Sequence, residues 1–414
     1  MKERLFSWID KSVDLAVELE TELTKRRGIS PDSGGEGEYD KCLFLEKWLI
    51  SHGITKIKRY DAPDNRAKGG VRPNLIAVID GEKNEEEGCL WIMSHTDVVP
   101  PGDEKLWESD PWTVIRKDDA PGSRLIGRGV EDNQQGLVSS VLAAMAFVSQ
   151  GIKPARTIKL LFAADEEMGS SYGIGWLVKN HESLFNQKDI VLVPDGGDKN
   201  GEKIEIAEKN ILWMKFTTYG KQTHGSTPNT GVNAFIAGSE LALCLHNELS
   251  ATYCNHDKMF SPDYSTFQPT KKEANVPNIN TIPGEDIFYM DMRILPRYPI
   301  KSVLVEISGI TAKLEKKYGV KIETSIIQSG ESKPTPHDSA VVKAISEAAG
   351  EVYKIKTHPV GIGGGTVAAY LRNIGIDSVV WTKTDETMHQ PNEYVLLENI
   401  IGDAKVMALL ALNL

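Results

Sequence analysis

The stretch TIKLLFAADEEMGSSYG, residues 157–173, is an apolar run that ends in three consecutive acids and a glycine. Its apolar first half predicts a buried strand, and Gly169 predicts a turn directly after that strand. A charged loop at a strand end is the simplest interpretation of Asp165, Glu166 and Glu167. Adjacent carboxylates repel one another, however, so the stretch requires either solvent or a bound cation to neutralise them.

Similar short apolar runs alternate with helical patterns along the first half of the chain. The helix-like stretches lie at about 135–149 and 172–184. The candidate strands are PNLIAVID (73–80), CLWIMS (89–94), TIKLLFAA (157–164) and DIVLVPD (189–195). Strands that are apolar throughout and alternate with helices predict an α/β fold, with a mostly parallel sheet covered by helices on both faces.

The middle of the chain has a different pattern. ILWMKFTTYG and DIFYMDMRIL alternate like half-exposed strands, and a β-α-β-α-β order extends from about 211 to 328. This order predicts a compact α+β domain inserted into the larger one. We therefore expect one domain at 1–210 and 329–414, and an inserted domain at 211–328.

Length and composition exclude several classes of protein. A chain of 414 residues predicts two domains, and a net charge of -11 argues against a nucleic-acid partner. No apolar run reaches the roughly 18 residues of a membrane span. The N-terminal segment carries acids among its apolar residues, so it predicts an amphipathic helix and not a signal peptide. Four scattered cysteines without a CxxC motif favour a reducing cytoplasm and exclude a thiolate metal site.

Polar residues follow the strand CLWIMS directly. His95 and Asp97 are two residues apart, and such residues face the same way in extended chain. Asp97 can therefore reach one ring nitrogen of His95, which is how a carboxylate fixes the tautomer of a metal-bound imidazole. Taken alone, this pair is more simply interpreted as a polar strand end.

Further acids and a second histidine follow the other strands. In LIGRGVEDNQQG, glycines bracket Glu131 and Asp132, for which a favourable place at a helix N-terminus is the simpler interpretation. Asp195 ends DIVLVPD, and His389 lies in ETMHQPNEYV, after the candidate strand DSVVWTK. Each of these residues has an ordinary structural explanation, but the set as a whole does not.

The carboxyl ends of parallel strands share one edge of the sheet, where such folds bind ligands. Two histidines and several carboxylates at that edge suit zinc or a similar metal, because they offer imidazole and carboxylate without thiolate. Two divalent ions would be balanced by three carboxylate ligands and a hydroxide. One carboxylate would then bridge two metals roughly 3.5 to 4 Å apart.

Eight motifs carry a family resemblance. In chain order they are HTDVVP, GRGVEDNQQG, DEEMGS, VPDGGD, HGSTPNTGVNA, NTIP with DMR, GGGT and ETMHQPNEY. This order resembles that of the di-zinc metallopeptidases related to acetylornithine deacetylase, succinyl-diaminopimelate desuccinylase, carboxypeptidase G and aminoacylase. The resemblance extends from about residue 10 to about residue 410.

The resemblance implies a site for two divalent metal ions, with zinc as the expected metal and cobalt or manganese as alternatives. By comparison with the family pattern, His95 and Asp195 bind one metal, whereas His389 and Glu167 bind the other. Asp132 corresponds to the bridging carboxylate.

The resemblance also implies the catalytic residues. Glu166 is similar to the general base, and Asp97 to the residue that orients His95. His224 resembles the histidine that reaches into a neighbouring subunit and stabilises the oxyanion, so a homodimer formed through the inserted domain is expected. A tetrahedral intermediate does need a positioned donor besides the metals. The resemblance thus implies that 1–210 and 329–414 form a catalytic metal-binding domain, and that 211–328 form a ferredoxin-like lid or dimerisation domain.

The substrate is expected to be held by its free carboxylate. Asn280 and Arg293 look like the substrate-binding residues of the family, and a guanidinium can bind a carboxylate with two hydrogen bonds. Without the resemblance, Arg293 would be read as a surface strand residue. The GGGT turn, including Gly365 and Thr366, precedes a helix-like segment and resembles the family's carboxylate clamp. A phosphate site is the alternative, but no Lys-Ser/Thr pair follows the turn.

Two departures from the family pattern stand out. Gln135 is uncharged where many relatives have a lysine, which leaves the ligand Asp132 unaffected but the electrostatics around it open. After GGGT the chain continues Val-Ala-Ala, where relatives often have Asp or Tyr with an Arg. The substrate specificity at that turn is therefore open.

Together these features predict a cytoplasmic di-metal hydrolase of amide bonds, acting on a short peptide or an N-acyl amino acid without an acyl-enzyme intermediate. Asp195 varies between Asp and Glu among relatives, and Asp is closer to the peptidases and aminoacylases. A deacylase or desuccinylase with the same centre remains open. A non-catalytic binding protein would have lost Glu166 or a metal ligand, and none is missing.

Overall fold

The computed structural model describes residues 1–414. The helices are α1 Lys2–Asp10, α2 Val13–Thr24, α3 Tyr39–Ser51, α4 Gly136–Gln150, α5 Ile174–Asn180, α6 Ala234–Thr252, α7 Ile300–Tyr318, α8 Ala340–Tyr353, α9 Ala368–Asn373 and α10 Leu397–Asn413. The strands are β1 Ile57–Pro63, β2 Val71–Ile79, β3 Leu90–His95, β4 Ile115–Asp119, β5 Gly122–Ile126, β6 Ile158–Ala163, β7 Ile190–Asp198, β8 Lys203–Glu208, β9 Asn210–Tyr219, β10 Thr223–His224, β11 Thr266–Lys272, β12 Thr281–Ile282, β13 Glu285–Ile294, β14 Lys321–Gly330, β15 His358–Ile362, β16 Ser378–Lys383 and β17 Tyr394–Leu396.

Contacts between residues divide the chain into two compact units. The first unit consists of Met1–Ile206, Thr335–Val360 and Thr366–Leu414. The second consists of Ala207–Pro334 together with the short segment Gly361–Gly365. The functional division into a catalytic domain at 1–210 and 329–414 and a lid at 211–328 stays a prediction.

The large sheet has the strand order β1-β2-β6-β3-β7-β16-β8-β15. Its four central strands, β6, β3, β7 and β16, are parallel, whereas β1 and β2 are antiparallel to their neighbours. The predicted α/β fold with a largely parallel sheet is confirmed. All six residues of β3 are buried, as expected for a strand that is covered on both faces.

The register of the central strands decides which residues meet at the edge of the sheet. His95, the last residue of β3, lies opposite Ala163, the last residue of β6. Whatever follows these two residues therefore leaves the sheet at the same level. The acids 165–167 follow β6 directly, so the strand pairing alone brings them close to His95.

The second unit is built on an antiparallel sheet with the order β11-β13-β9-β14. Helices α6 and α7 cover one face of this sheet and bury a core that includes Phe216, Phe267 and Phe288. Strand β11 was not predicted, because TFQPTKK contains one large apolar residue and a proline. Strand β14 lies at the edge of the sheet, and nearly all of its residues are exposed.

Two predicted helices differ in the structure. The N-terminal segment forms α1 and α2 in place of one helix, with a break at Lys11 and Ser12. Helix α5 begins at Ile174 and not at 172, because the backbone N–H of Tyr172 donates to the side chain of Asp165 (3.0 Å). None of the ten helices combines the length and the apolar character that crossing a bilayer requires.

Candidate metal centre

Asp132 presents its two carboxylate oxygens to two different histidines. Oδ1 lies 3.0 Å from Nε2 of His95, and Oδ2 lies 3.0 Å from Nε2 of His389. His95 ends β3, whereas His389 lies in the loop between β16 and β17 and has about half of its side chain exposed. One carboxylate between two imidazoles is the geometry of a bridging ligand.

Each histidine has a second acidic neighbour. Nε2 of His95 lies 3.5 Å from Oδ1 of Asp195, and Nε2 of His389 lies 3.2 Å from Oε2 of Glu167. The structure thus brings all five predicted metal ligands together in the first unit, in the two pairs that the sequence predicts around Asp132. Their roles as ligands stay a prediction.

The potential ligand atoms are also close enough to share an ion. The donor atoms of His95, Asp132 and Glu167 all lie within 4.8 Å of one another, as do those of His95, Glu166 and Asp195. Oε1 of Glu167 is buried and has no hydrogen-bond partner. A buried carboxylate oxygen without a donor fits a cation, so the residues present are suited to bind metal.

Asp97 supports both the histidine and the acidic loop. Its backbone carbonyl lies 3.0 Å from Nδ1 of His95, and its Oδ1 lies 3.4 Å from the same nitrogen. The carboxylate also accepts the backbone N–H groups of Glu166 and Glu167, each at 3.0 Å. Asp97 therefore contacts His95 as predicted, and it additionally fixes the backbone of the two residues that follow β6.

The electrostatics of the centre show an excess of negative charge. Burial, together with repulsion from Asp195, raises the pKa of Glu166 well above its usual range. Burial also raises the pKa of Asp195 and that of Glu167. Hydrogen bonds to Asp132 and Glu167 raise the pKa of His389 to about 10. The carboxylates thus require positive charge, which either protons or metal ions can supply.

A buried glutamate holds the loop that carries Asp132. Glu393, which is fully buried, accepts the backbone N–H groups of Gly129, Glu131 and Asp132 at 2.9 to 3.0 Å. Its carboxylate also pairs with the buried guanidinium of Arg128 at 2.5 Å. Three backbone donors and one guanidinium leave this loop little freedom, so Asp132 is presented in one position.

Glu131, the residue before Asp132, accepts hydrogen bonds from the loop that carries His389. Its Oε1 accepts from the hydroxyl of Thr384 (2.5 Å) and the backbone N–H of Asp385 (2.6 Å). Its Oε2 accepts from the backbone N–H and the hydroxyl of Thr387. Adjacent acids thus have different functions, because Asp132 faces the histidines while Glu131 anchors the second loop.

The side chain of Asn133 forms hydrogen bonds with both His95 and Asp195. Its side-chain N–H donates to Asp195 Oδ1 at 2.7 Å and to the carbonyl of Pro194 at 2.6 Å. Its side-chain oxygen accepts the backbone N–H of His95 at 3.3 Å. Both ligands predicted for the first metal are therefore held by one amide side chain.

His224 and Asn280 lie side by side in the second unit. Strand β10 pairs with β12, and the backbone N–H of Gly225 donates to the carbonyl of Asn280 at 2.7 Å. His224 Nδ1 lies 2.7 Å from the hydroxyl of Ser226, which leaves Nε2 as the nitrogen available to a substrate. The two residues are separated by more than fifty positions in sequence, and the strand pairing brings them together.

Arg293 lies next to the glycine turn. Its Nη1 donates to the carbonyl of Gly363 at 2.8 Å, and both residues belong to the second unit. Nε and Nη2 donate to the carboxylate of Asp291, at 2.7 and 3.0 Å. Gly365 also belongs to the second unit, whereas Thr366 belongs to the first. Asp291 already binds Arg293 in the way that was predicted for a substrate carboxylate.

Gln135 is buried and does not face the metal ligands. Its Nε2 donates to the carboxylate of Asp403 (2.8 Å), the carbonyl of Lys383 (2.8 Å) and the hydroxyl of Thr382 (3.1 Å). None of these hydrogen bonds reaches Asp132, and the effect of an uncharged residue at 135 on the electrostatics around that carboxylate stays a prediction.

Sequence reasoning missed the residues behind the ligands. Glu393 lies in the motif ETMHQPNEY, but its four hydrogen-bond partners are all more than 250 positions away in sequence. Arg128 and Asn133 lie in GRGVEDNQQG and were likewise not singled out. The one signal in the sequence was their position. Arg128 lies between two glycines, and Asn133 directly follows the predicted ligand Asp132.

The chain is similar to known proteins over most of its length. The sequence model of peptidase family M20/M25/M40 matches residues 91–413. An uncharacterized metallohydrolase of Methanococcus maripaludis is 39% identical over 414 residues, which cover 95% of this chain and 98% of that protein. Succinyl-diaminopimelate desuccinylase 2 of Ruegeria sp. is 28% identical over 387 residues, covering 93% and 91% of the two chains. The solved structure of an M20 family metallo-carboxypeptidase from Sulfolobus solfataricus has a TM-score of 0.74 and 19% identity, with coverage of 96% and 98%.

Proposed function

Since this chain belongs to peptidase family M20/M25/M40 and is a metal-dependent hydrolase, we propose that it hydrolyses an amide bond in a short peptide or an N-acyl amino acid. The observation that carries the proposal is the carboxylate of Asp132, whose two oxygens each lie 3.0 Å from a different histidine. This arrangement suits a pair of divalent ions, and such pairs serve hydrolytic chemistry.

The proposed ligands divide into two sets that share Asp132. His95 and Asp195 would hold one ion, and His389 and Glu167 the other. Two such ions polarise a substrate carbonyl and lower the pKa of a water molecule. Imidazole and carboxylate donors without thiolate favour zinc, and cobalt and manganese remain alternatives.

Glu166 is the proposed proton carrier. Its backbone is fixed by Asp97, and its side chain lies in the group formed with His95 and Asp195. A carboxylate in this position, whose pKa is raised by burial and by repulsion from Asp195, can accept the proton of the attacking water and return it to the leaving amine. Because water is the nucleophile, no side chain becomes acylated.

The second unit is proposed to bind the substrate. His224 would donate to the oxyanion of the tetrahedral intermediate, and the neighbouring Asn280 would bind the substrate beside it. Arg293 and the glycine turn would bind the free carboxylate, in competition with the existing pair between Arg293 and Asp291. In this proposal the specificity for a carboxylate-bearing substrate depends on this second unit.

We also infer a homodimer formed through the second unit. Strand β14 is at the sheet edge and exposes Ile326 and Ile327 by 50% and 56%. An exposed apolar edge strand is a ready surface for pairing with another strand. All four cysteines are free, which supports the proposed reducing cytoplasm.

Deacylation of an N-acyl amino acid is the second candidate function. The Ruegeria relative, at 28% identity, is a succinyl-diaminopimelate desuccinylase by name, and the same centre could act on such an acyl group. An aspartate at position 195, where relatives have either Asp or Glu, favours a peptidase only weakly.

A substrate panel distinguishes the two candidates. The zinc-loaded protein is incubated with dipeptides, tripeptides, N-acetyl amino acids and N-succinyl amino acids, each with a free and an amidated carboxyl terminus. We expect release of amine from one class of free-carboxylate substrates and a large loss of kcat/KM on amidation. Equal rates on amidated substrates would contradict the carboxylate requirement, and no hydrolysis of any class would contradict the proposed activity.

A further inference from the structure

A buried arginine lies behind the three consecutive acids. Arg72, on β2, has no exposed surface, and its Nη1 lies 3.2 Å from Oδ1 of Asp165. Strands β2 and β6 are antiparallel, with Leu75 opposite Phe162. Continuing this register beyond the last pair places Arg72 opposite Asp165, so the sheet itself sets the two charges against each other.

Asp165 forms the turn at which the chain leaves β6. Its backbone has a φ of 65°, in the left-handed region that aspartate tolerates better than most residues. Its Oδ2 accepts the backbone N–H of Tyr172 at 3.0 Å, and its carbonyl accepts that of Ser170 at 2.6 Å. The segment that follows the turn is thereby closed back onto Asp165.

The same arginine is held rigidly from its other side. Its Nε donates to Oε2 of Glu38 at 2.7 Å, and Nη2 pairs with the other oxygen of the same buried carboxylate. A guanidinium held in this way is a fixed positive charge, and charges interact strongly where water is excluded. The guanidinium that attracts Asp165 therefore keeps its position even when the acidic loop moves.

We propose that the pair formed by Arg72 and Asp165 positions Glu166 and Glu167 for their different tasks. Asp97 holds the backbone N–H groups of Glu166 and Glu167, and the arginine holds the residue just before them. Because the backbone is held on both sides of the turn, the side chain of Glu167 faces His389, while that of Glu166 faces the space beside His95 and Asp195. This inference rests on the proposed function, in which Glu166 carries the proton.

Asp165→Asn tests this positioning role. Asparagine keeps the size of the side chain and an oxygen for Tyr172 N–H, but it removes the charge that faces Arg72. We expect kcat, measured with saturating metal, to fall about 10- to 100-fold, as for a misplaced catalytic group, with KM within about threefold. A kcat within twofold of wild type in the folded variant would overturn the inference.

Asp64→Asn is the matched control. Its Oδ2 lies 3.8 Å from the same Nη1 of Arg72, but Asp64 is paired with Arg66 and lies outside the acidic loop. We expect kcat within about twofold of wild type. A loss equal to that of Asp165→Asn would show that any charge near Arg72 matters, which contradicts a specific pair.

Arg72→Lys gives an independent result if Asp165→Asn fails to fold. Lysine keeps the charge but cannot bind Glu38 and Asp165 together, so kcat is again expected to fall at nearly constant KM. When Arg72→Lys and Asp165→Asn are combined, the loss in kcat should not exceed that of the worse single variant by more than about twofold. Multiplicative losses would contradict a shared mechanism.

Glu166→Gln, measured in parallel, separates this inference from the proposed function. If Glu166→Gln is inactive while Asp165→Asn has normal kcat, the positioning role fails and the proton-carrier role stands. If Glu166→Gln retains activity, the proton-carrier role fails, and the positioning role fails with it.

Discussion

The side-chain carboxylate of Glu393 accepts the backbone N–H of Asp132 at 3.0 Å, although the two residues are 261 positions apart in sequence. In return, the neighbour of Asp132, Glu131, binds the loop that carries His389. Two buried glutamates thus lock the two loops to each other. The positions of Asp132 and His389 therefore depend on each other through these hydrogen bonds.

Glu393→Gln should weaken metal binding without removing a ligand. The variant amide has only one acceptor oxygen, so its N–H₂ group must face Arg128 or the backbone donors of the Asp132 loop. We expect metal affinity to fall about 10- to 100-fold, measured by competition with a chelating dye. Glu398→Gln, with its side chain 72% exposed, is the control and should bind metal normally. Unchanged affinity in Glu393→Gln would show that the loop does not need this carboxylate.

Glu166→Gln and Glu167→Gln should fail in different ways, although the two residues are adjacent. Glu166→Gln should keep both metal ions but lose about 10²- to 10⁴-fold in kcat, since it can no longer accept a proton. Glu167→Gln should bind less than two ions per chain, because its charge faces His389. Metal analysis and steady-state kinetics on both variants check this. Normal turnover in Glu166→Gln, or full metal content in Glu167→Gln, would contradict the assigned roles.

Removing the metal ions should abolish hydrolysis and lower thermal stability. The buried carboxylates lose the cations that neutralise them, and a ligand present at 1,000 times its Kd stabilises a folded protein by about 4 kcal/mol. Dialysis against a chelator, metal analysis and differential scanning calorimetry test this. Addition of zinc, cobalt or manganese should restore both properties. Full activity in a sample shown to contain no metal would exclude the metal-dependent mechanism.

Asp403→Asn should change how stability depends on pH. Burial raises the pKa of Asp403 to about 6, from an ordinary value of 3.8. A carboxyl with a higher pKa in the folded state binds more protons when folded, so its contribution to the free energy of unfolding decreases as pH rises between these two values. At neutral pH the ionised group therefore costs up to about 3 kcal/mol, which asparagine avoids.

Urea unfolding from pH 4.5 to 7.5 measures this effect. The free energy of unfolding of Asp403→Asn, minus that of wild type, should increase up to about pH 6 and then level off. Asp338→Asn, at an exposed position, should show no such trend. A difference that stays constant with pH would contradict an elevated pKa for Asp403.

Ile327→Lys should separate the proposed dimer. This residue is 56% exposed on the edge strand β14, and a lysine there opposes pairing with a second strand. We expect a monomer by light scattering and a kcat/KM reduced more than tenfold, because His224 would no longer reach a neighbouring site. Ile50→Lys, at a residue 48% exposed in the first unit, should stay dimeric. A monomeric wild-type protein with full activity would refute the dimer.

The sequence predicts which histidines and acids come together better than it predicts the residues that hold them, for a physical reason. Residues such as His95 and Glu167 directly follow apolar strands, and parallel strands necessarily end at a common edge. The residues that hold them, in contrast, act through backbone N–H groups of distant segments, as Glu393 does for Gly129. Such contacts follow no periodicity and become visible only once the chain is folded.

The role of Asp165 shows the same limit. In the sequence it is one of three similar acids, and nothing in the pattern separates it from Glu166. The structure separates them, because β2 places Arg72 behind the turn and draws only Asp165 away from the site. Strand β2 was predicted, but its antiparallel register with β6, which aligns the two charges, could not be.

The hydrogen bonds by which Glu131 and Glu393 join the two loops also determine when the site can form during protein synthesis. His389 and Glu393 are translated after the whole of the second unit, so the Asp132 loop has neither Glu393 nor His389 beside it until that late segment has been made. A nascent chain that exposes only the earlier strands offers His95 and loosely held acids. Tight binding of the proposed metal pair would therefore begin only after this segment has been made, and a shorter nascent chain would hold neither both ions nor a hydrolytic centre.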